Sequence, residues 1–277
     1  MAVSVITPSL NQAEFIGEAI RSVAEQNHPA LEHIVVDGGS MDGTVSLLEG
    51  AAEDPRFRWV SEPDRGQAEA IAKGFALARG EVLGWLNADD VYLDSGVIER
   101  VAAVFAADEA LDIVTGGGRY LTESGEALSR IEPPRPFRAS RLRQRSDLLQ
   151  PATFFRRRVV ESTPLDTSLH YAFDWEFFAR AASGRRVCVA SDYYAGYRWY
   201  GRNKTALAGS RRTRELADVT ARLLGRGTWQ YGVLRLAAAL DAAIDHAPAL
   251  AKPRLRRGLY GGPLRAARIL SRGAIQT

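Results

Sequence analysis

Short β-branched runs alternate with segments of helical periodicity over the first 118 residues. Ala2 to Ile6, His33 to Val36, Phe57 to Val60, Val82 to Leu86 and Ile113 to Thr115 are apolar runs of strand length. Between them, apolar positions recur at three- and four-residue spacing. Phe15, Ile16, Ala19, Ile20 and Val23 form one stripe, Ile71, Phe75 and Ala78 a second, and Ile98, Val101, Ala102 and Phe105 a third. Each stripe predicts a helix with one buried face. The alternation predicts an α/β fold, a mostly parallel Rossmann-like sheet flanked by helices. Such a layout does not by itself select a ligand.

The pattern changes after residue 118. Gly116-Gly117-Gly118 reads as a strand-ending turn, and Ile131 to Arg145, with three prolines and five arginines, as a long loop with a short helix from Ser140. Ala152 to Phe155 and Val187 to Ala190 read as strands and Asp174 to Ala182 as a helix. From Arg211 onward the chain reads as helices, with Trp229, Val233, Leu236, Leu240 and Ile244 on one stripe. Three segments follow: 1–118, 119–205, and a C-terminal helical extension over 206–277.

With 46% hydrophobic and 25% charged residues, the composition is that of a folded globular chain and excludes extensive disorder. A single cysteine, Cys188, rules out an internal disulfide, and neither a secretory leader nor a run of about 20 apolar residues is visible, so a cytoplasmic protein is expected. The net charge of +3 conceals a division. Residues 1–135 carry 23 acidic and 10 basic side chains, and the remainder 10 acidic and 26 basic. A strongly basic second half implies attraction to a phosphorylated substrate, nucleic acid or an anionic membrane surface.

Four polar clusters follow predicted strands: Thr7-Pro8-Ser9, Asp37-Gly38-Gly39-Ser40, Glu62-Pro63-Asp64-Arg65-Gly66 and Asn87-Ala88-Asp89-Asp90. Each alone is an ordinary turn composition. Four in succession at strand ends point to a ligand site, because open α/β sheets bind at the carboxyl edge of their strands. No glycine stands between Pro8 and Gln12, which excludes the dinucleotide fingerprint. A phosphate-binding loop with its Gly-Lys pair and a G-x-S-x-G nucleophile elbow are also missing, and the four histidines have no metal-ligand spacing. The closely spaced carboxylates after Leu86 suit a hard divalent cation bridging phosphates.

On Ser4-Val-Ile-Thr-Pro-Ser-Leu-Asn11, Ile34-Val-Val-Asp-Gly-Gly-Ser-Met-Asp-Gly-Thr44 and Gly84-Trp-Leu-Asn-Ala-Asp-Asp90, the chain resembles family 2 glycosyltransferases with the GT-A fold, over roughly residues 2 to 205. The resemblance implies a donor half at 1–118 and an acceptor and catalytic-base half at 119–205. It places Thr7, Pro8, Asp37, Asp64 and Lys73 at the nucleoside. It sets Asn87 and Asp89 at the first and third places of an Asp-x-Asp metal motif around Ala88, with Mg or Mn as cofactor. Gln150-Pro-Ala-Thr-Phe-Phe-Arg156 and Phe173-Asp174-Trp175-Glu176 match further, and put Asp174 at the catalytic base. Glu176 lies about 200° around the helix from it and does not share that role.

Two departures stand out. Asn87 replaces the usual first Asp, and Tyr200 stands where relatives often carry a metal-binding His. Arg198, Arg202 and Lys204 nearby are candidate holders of the diphosphate. The expected activity is inverting transfer from a nucleoside-diphosphate sugar to a hydroxyl of a glycan or lipid-linked acceptor. The alternatives are a catalytically silent scaffold of the same fold and, from the basic half, a nucleic-acid-binding protein. Residues 248–277 hold Lys252, Arg254, Arg256, Arg257, Arg265, Arg268 and Arg272 and no acid, a composition suited to peripheral attachment on the inner face of a membrane.

Overall fold

The computed structural model describes residues 1–204 and 209–246, and Leu255. The predicted basic tail, 248–277, thus lies outside the described residues apart from that leucine. The chain divides into two compact units that interleave in sequence: residues 1–137, 148–168 and 184–199 form the first, and 138–147, 169–183 and 200–277 the second.

The first unit holds a nine-stranded sheet. Its strands are β1 (Val3–Ser9), β2 (Leu31–Asp37), β3 (Phe57–Ser61), β4 (Val82–Trp85), β5 (Val91–Tyr92), β6 (Ile113–Leu121), β7 (Ala127–Ile131), β8 (Thr153–Arg156) and β9 (Val187–Arg198). The order is β3-β2-β1-β4-β8-β6-β9-β5, with β7 paired to β6. β3, β2, β1 and β4 run parallel, so their carboxyl ends leave the sheet along one edge. From β8 onward antiparallel pairings enter, and β9 returns to pair parallel with β6.

The helices of this unit are α1 (Ile16–Ala24), α2 (Thr44–Ala51), α3 (Gln67–Leu77), α4 (Val97–Ala107) and α5 (Arg157–Ser162). The stripes on α1, α3 and α4 are buried as their periodicity predicts: Ile16, Ala19 and Val23, then Ile71 and Phe75, then Ile98, Val101 and Phe105. Ile16 meets Val35, Leu48 and Phe57 in one core cluster. Gly74 lets α3 lie directly on β1, because a Cβ there would stand 2.3 Å from an Ile6 methyl.

Gly116-Gly117-Gly118 corrects the expectation of a turn: the three glycines lie inside β6. Side chains there would collide with Tyr194, with the Ile131 carbonyl at 2.6 Å and with the Ala195 carbonyl at 2.3 Å. The glycines are needed for close approach of β7 and β9, and the β6–β9 register shifts at this point. The segment expected to be a loop likewise begins with the end of β7 at Ile131, followed after a gap by a 3-10 turn over Ala139–Arg143.

Among its described residues, the second unit contains that 3-10 turn and the helices α6 (Phe173–Ala181), α7 (Gly209–Leu224) and α8 (Trp229–Asp245). α7 and α8 are tied by the Thr213 hydroxyl, which donates to Asp241 at 2.7 Å, and by the Ser210 N–H, which donates to Asp245 at 3.1 Å.

Candidate active site

Four loops leave the carboxyl edge of the parallel strands, and hydrogen bonds stitch them to one another. After β1, the Asn11 N–H donates to Ser40 Oγ, the Gln12 N–H to Thr44 Oγ1 and the Ala13 N–H to Asp42, so this loop is held by the one that follows β2. Asn11 sits at φ 51°, a conformation that asparagine tolerates, and its Oδ1 accepts the Met41 N–H in return. After β3, the Ser61 hydroxyl donates to Asp37 and the Glu62 N–H to the Asp37 carbonyl. Asp64 accepts the Gly66 N–H at 2.8 Å and lies against Gly38, where a Cβ would stand 2.8 Å from its other oxygen. The Gln67 side chain, at the start of α3, donates to Asn87 after β4.

Several residues expected to touch a nucleoside are instead internal supports. Thr7 and Asp37 have no exposed surface, and Pro8 is buried with them. The Thr7 hydroxyl shares a 2.9 Å hydrogen bond with Nε2 of His33, whose pKa burial pushes down to about 3 against the pull of Asp54, so the imidazole is neutral. Asp37 accepts the Gly39 and Ser40 N–H groups and the hydroxyls of Ser40 and Ser61. It shapes the loop, and its carboxylate reaches no solvent. Ala88 is buried in the core cluster with Ile16 and Val35. What remains partly open along this edge is Ser40, Asp64, Lys73, Asn87 and Asp89. Lys73 forms a 2.9 Å ion pair with Glu62, so it stands beside the Asp64 loop.

The turn after β4 is built around amides. Asn87 Oδ1 accepts from Gln67 at 2.9 Å, and its NH2 donates to Gln150 at 2.8 Å and to Asp90 at 3.1 Å. Gln150 in turn donates to the Trp85 carbonyl at 2.6 Å. Asn87 is thereby the keystone of the turn, and to ligate a metal its oxygen must share or release the Gln67 bond. Asp90 is buried, and burial with the neighbouring Asp89 charge pushes its carboxyl well above the usual range; the Arg198 N–H and the Asn87 amide oppose this. Asp89 is the partly exposed carboxylate of the turn.

Arg198 corrects another expectation. It is 1% exposed, and its guanidinium is occupied by the protein: Nε donates to the Asp89 carbonyl at 2.9 Å, Nη1 to the Glu123 carbonyl at 2.6 Å and Nη2 to the Glu18 carboxylate. The group also lies 5.0 Å over the Phe15 ring. Each of its three nitrogens is thus already bonded to a protein acceptor. Arg198 instead braces the Asp89 turn from below, a role invisible in sequence because its partners lie up to 180 residues away.

In the second unit, Asp174 stands in the first turn of α6 and is partly exposed. Burial holds its carboxyl above the usual aspartate range, partly offset by the Trp175 N–H and by the Arg212 and Lys204 charges. Lys204 Nζ lies 5.6 Å from the ring centres of both Tyr171 and Phe173. Tyr200 is buried, with the Arg202 guanidinium 5.8 Å over its ring. Glu176 is also buried and paired with Arg180 through two hydrogen bonds, in keeping with its exclusion as a base.

Sequence reasoning missed Glu215. From α7 its carboxylate accepts the N–H groups of His170, Tyr171 and Ala172 at 2.8, 2.6 and 2.7 Å, fixing the entry to α6. Helix entries need such acceptors, but a partner more than 40 residues away leaves no local signature. Glu215→Ala is expected to cost about 2–3 kcal/mol, since bonds to a charged acceptor contribute about 1.5–3 kcal/mol in buried settings and this group is only partly buried. Chemical denaturation measures the loss; an unchanged midpoint removes Glu215 as the support of α6.

A divalent cation fits this edge only in a limited way. Among the described residues no group of three His, Cys, Asp or Glu side chains converges on a metal-sized site. In the turn after β4, Asp89 offers a partly open carboxylate, which matches the way Mg binds through one or two carboxylates completed by substrate phosphates.

The model of glycosyl transferase family 2 matches residues 4–162. An uncharacterized glycosyltransferase of Mycobacterium tuberculosis is 32% identical over 184 residues, covering 65% of this chain and 68% of the relative. A PGL/p-HBAD biosynthesis glycosyltransferase of Mycobacterium bovis is 29% identical over 186 residues, covering 65% and 69%. Among solved structures, S. aureus TarS 1-349 in complex with UDP-GlcNAc superimposes with a TM-score of 0.66 at 18% identity, covering 98% of this chain and 89% of that one. The mannosyltransferase PcManGT from Pyrobaculum calidifontis, in complex with GDP-Man and Mn2+, gives 0.65 at 22% identity, covering 98% and 84%. The fold is therefore the GT-A type with a C-terminal helical region.

Proposed function

From the premise that this chain belongs to glycosyl transferase family 2, we propose that it transfers a sugar, with inversion, from a nucleoside diphosphate donor to a hydroxyl acceptor. Glycosyl transfer is the family's reaction; inversion, metal use and the acceptor class are our reading. The observation that carries it is the cluster of four stitched loops on parallel strand ends, with Asp89 as its partly open carboxylate. In this reading residues 1–118 bind the donor. Ser40, Asp64 and Lys73 face the nucleoside, and Asp37, Thr7 and Pro8 hold the strand ends that position them.

Asp89 holds Mg or Mn together with the donor's phosphates, while Asn87 keeps the turn in shape. The cation supplies charge neutralisation for the departing diphosphate. Lys204, an exposed cation beside the Asp174 turn, is in our reading a further candidate for the leaving group. Asp174 takes the proton of the acceptor hydroxyl as that oxygen attacks the anomeric carbon, which is what a general base must do in an inverting displacement. The acceptor in this reading is a glycan or lipid-linked hydroxyl.

The test is a thermal-shift panel of uridine and guanosine diphosphate sugars with and without Mn, because a ligand of the folded state alone raises its stability. One donor is expected to shift the transition in the presence of Mn, and Asp89→Ala to abolish the metal-dependent part. Undiminished Mn-dependent binding by Asp89→Ala removes Asp89 as ligand. The engagement of Asn87 inside the turn favours a second reading, a silent scaffold of the same fold; donor binding without transfer or hydrolysis decides for it.

A further inference from the structure

The outward face of α8 carries an apolar line that includes none of the residues assigned above to the transfer reaction. α8 buries Leu234, Ala237, Ala238, Asp241 and Ile244, so Ile244, expected on one stripe with Trp229, falls on the buried side. Its two acids are both engaged toward α7, Asp241 by the Thr213 hydroxyl and Asp245 by the Ser210 N–H. At about 100° per residue, Trp229, Val233, Leu236, Leu240 and Ala243 fall within about 40° of a common line on another side of the helix. Trp229 is 61% exposed and Leu236 54%. The line runs about 21 Å along the axis, and no charged side chain interrupts it. The charges that flank it are basic and exposed, Arg235 on the helix and Arg226 just before it.

An apolar line this long, with Trp229 and Leu236 exposed and Val233 and Leu240 half-buried, suits a docking surface. Its acid-free rim selects the partner. The sequence immediately beyond α8, 247–277, adds Lys252, Arg254, Arg256, Arg257, Arg265, Arg268 and Arg272 without one acidic side chain. A second copy of the chain carries the same excess of basic residues, whereas an anionic bilayer complements both the apolar stripe and the charge. Tryptophan, apolar in body and polar at one edge, suits the headgroup level.

We propose that α8 lies flat on an anionic lipid surface, with Trp229, Val233, Leu236 and Leu240 at the boundary of headgroups and acyl chains. The inference rests on α8 and the sequence that follows it, and is independent of the donor chemistry.

The experiment sediments the full chain with phosphatidylcholine vesicles with and without phosphatidylglycerol, at low and high salt. Binding is expected with phosphatidylglycerol, and to weaken with salt. Leu236→Asp is expected to weaken it about tenfold or more, with the melting temperature and nucleotide binding unchanged because Leu236 is exposed. Fluorescence quenching by brominated lipid is expected to fall in Trp229→Phe. The proposal is overturned if the chain stays in solution at low salt, or if Leu236→Asp binds like the parent. It is equally overturned if light scattering shows a dimer that Leu236→Asp dissociates, which assigns the face to a second copy.

Discussion

Asp174→Asn is expected to lower turnover by about 100-fold or more, the usual loss when a general base is removed, while nucleotide-sugar binding persists. The amide keeps the size and the Trp175 N–H bond of the carboxylate but has no proton affinity in the working range. The pH profile carries a second, independent signature. Burial raises the pKa of Asp174, and the charges of Arg212 and Lys204 pull it back. A base must be ionised to act, so activity is lost as pH falls through this raised pKa, and the acid limb lies above the ordinary aspartate range. Lys204→Met removes a charge that favours the ionised form and moves the limb further up. Steady-state kinetics across pH, with donor binding measured separately, checks both. Near-normal turnover in Asp174→Asn, or an acid limb that ignores Lys204→Met, takes Asp174 out of the mechanism.

Arg198→Met is expected to be the most destabilising single change near the site. The guanidinium satisfies the Asp89 and Glu123 carbonyls and pairs with Glu18 from a position with 1% exposure. Removing one member of a buried charged network costs about 3–5 kcal/mol, because the remaining groups lose their partners. Glu18 is about half exposed and regains water when released, so the lower end, about 3 kcal/mol, applies. That corresponds to a fall of about 6 °C or more in Tm for a chain of this size. Urea denaturation of the two proteins measures it directly. Methionine keeps the apolar contact with Phe15 and isolates the loss of charge and hydrogen bonds. A shift below about 2 °C shows that the Asp89 turn stands without its brace.

Arg198 and Trp229 show where sequence reasoning stops. Both are singled out by composition: the arginine lies in a basic run expected to meet a diphosphate, and the tryptophan begins an apolar stripe. Residue type does not distinguish an arginine that meets a ligand from one that carries a turn. That depends on whether carbonyls from residues 89 and 123 and a carboxylate from residue 18 surround it. In the same way, helical spacing defines the line through Trp229 and Leu236, but only the position of α7 decides that Leu234, Ala237 and Asp241 are the buried side of α8.

The sequence by itself determined the α/β alternation, the buried faces of α1, α3 and α4, the four polar strand-end clusters and the family. These are local or periodic properties, set by side-chain spacing of two or 3.6 residues and by turn-forming residues at strand ends. Tertiary structure decided that Gly116 to Gly118 run through β6, because the need for glycine comes from β7 and β9 pressing against that strand. It also decided that Asp37 and Thr7 support the strand-end loops from within, that Asn87 is held by Gln67 and Gln150, and that Glu215 fixes the entry to α6. Each of these depends on groups brought together from distant parts of the chain, and burial and hydrogen-bond saturation exist only once the chain has folded.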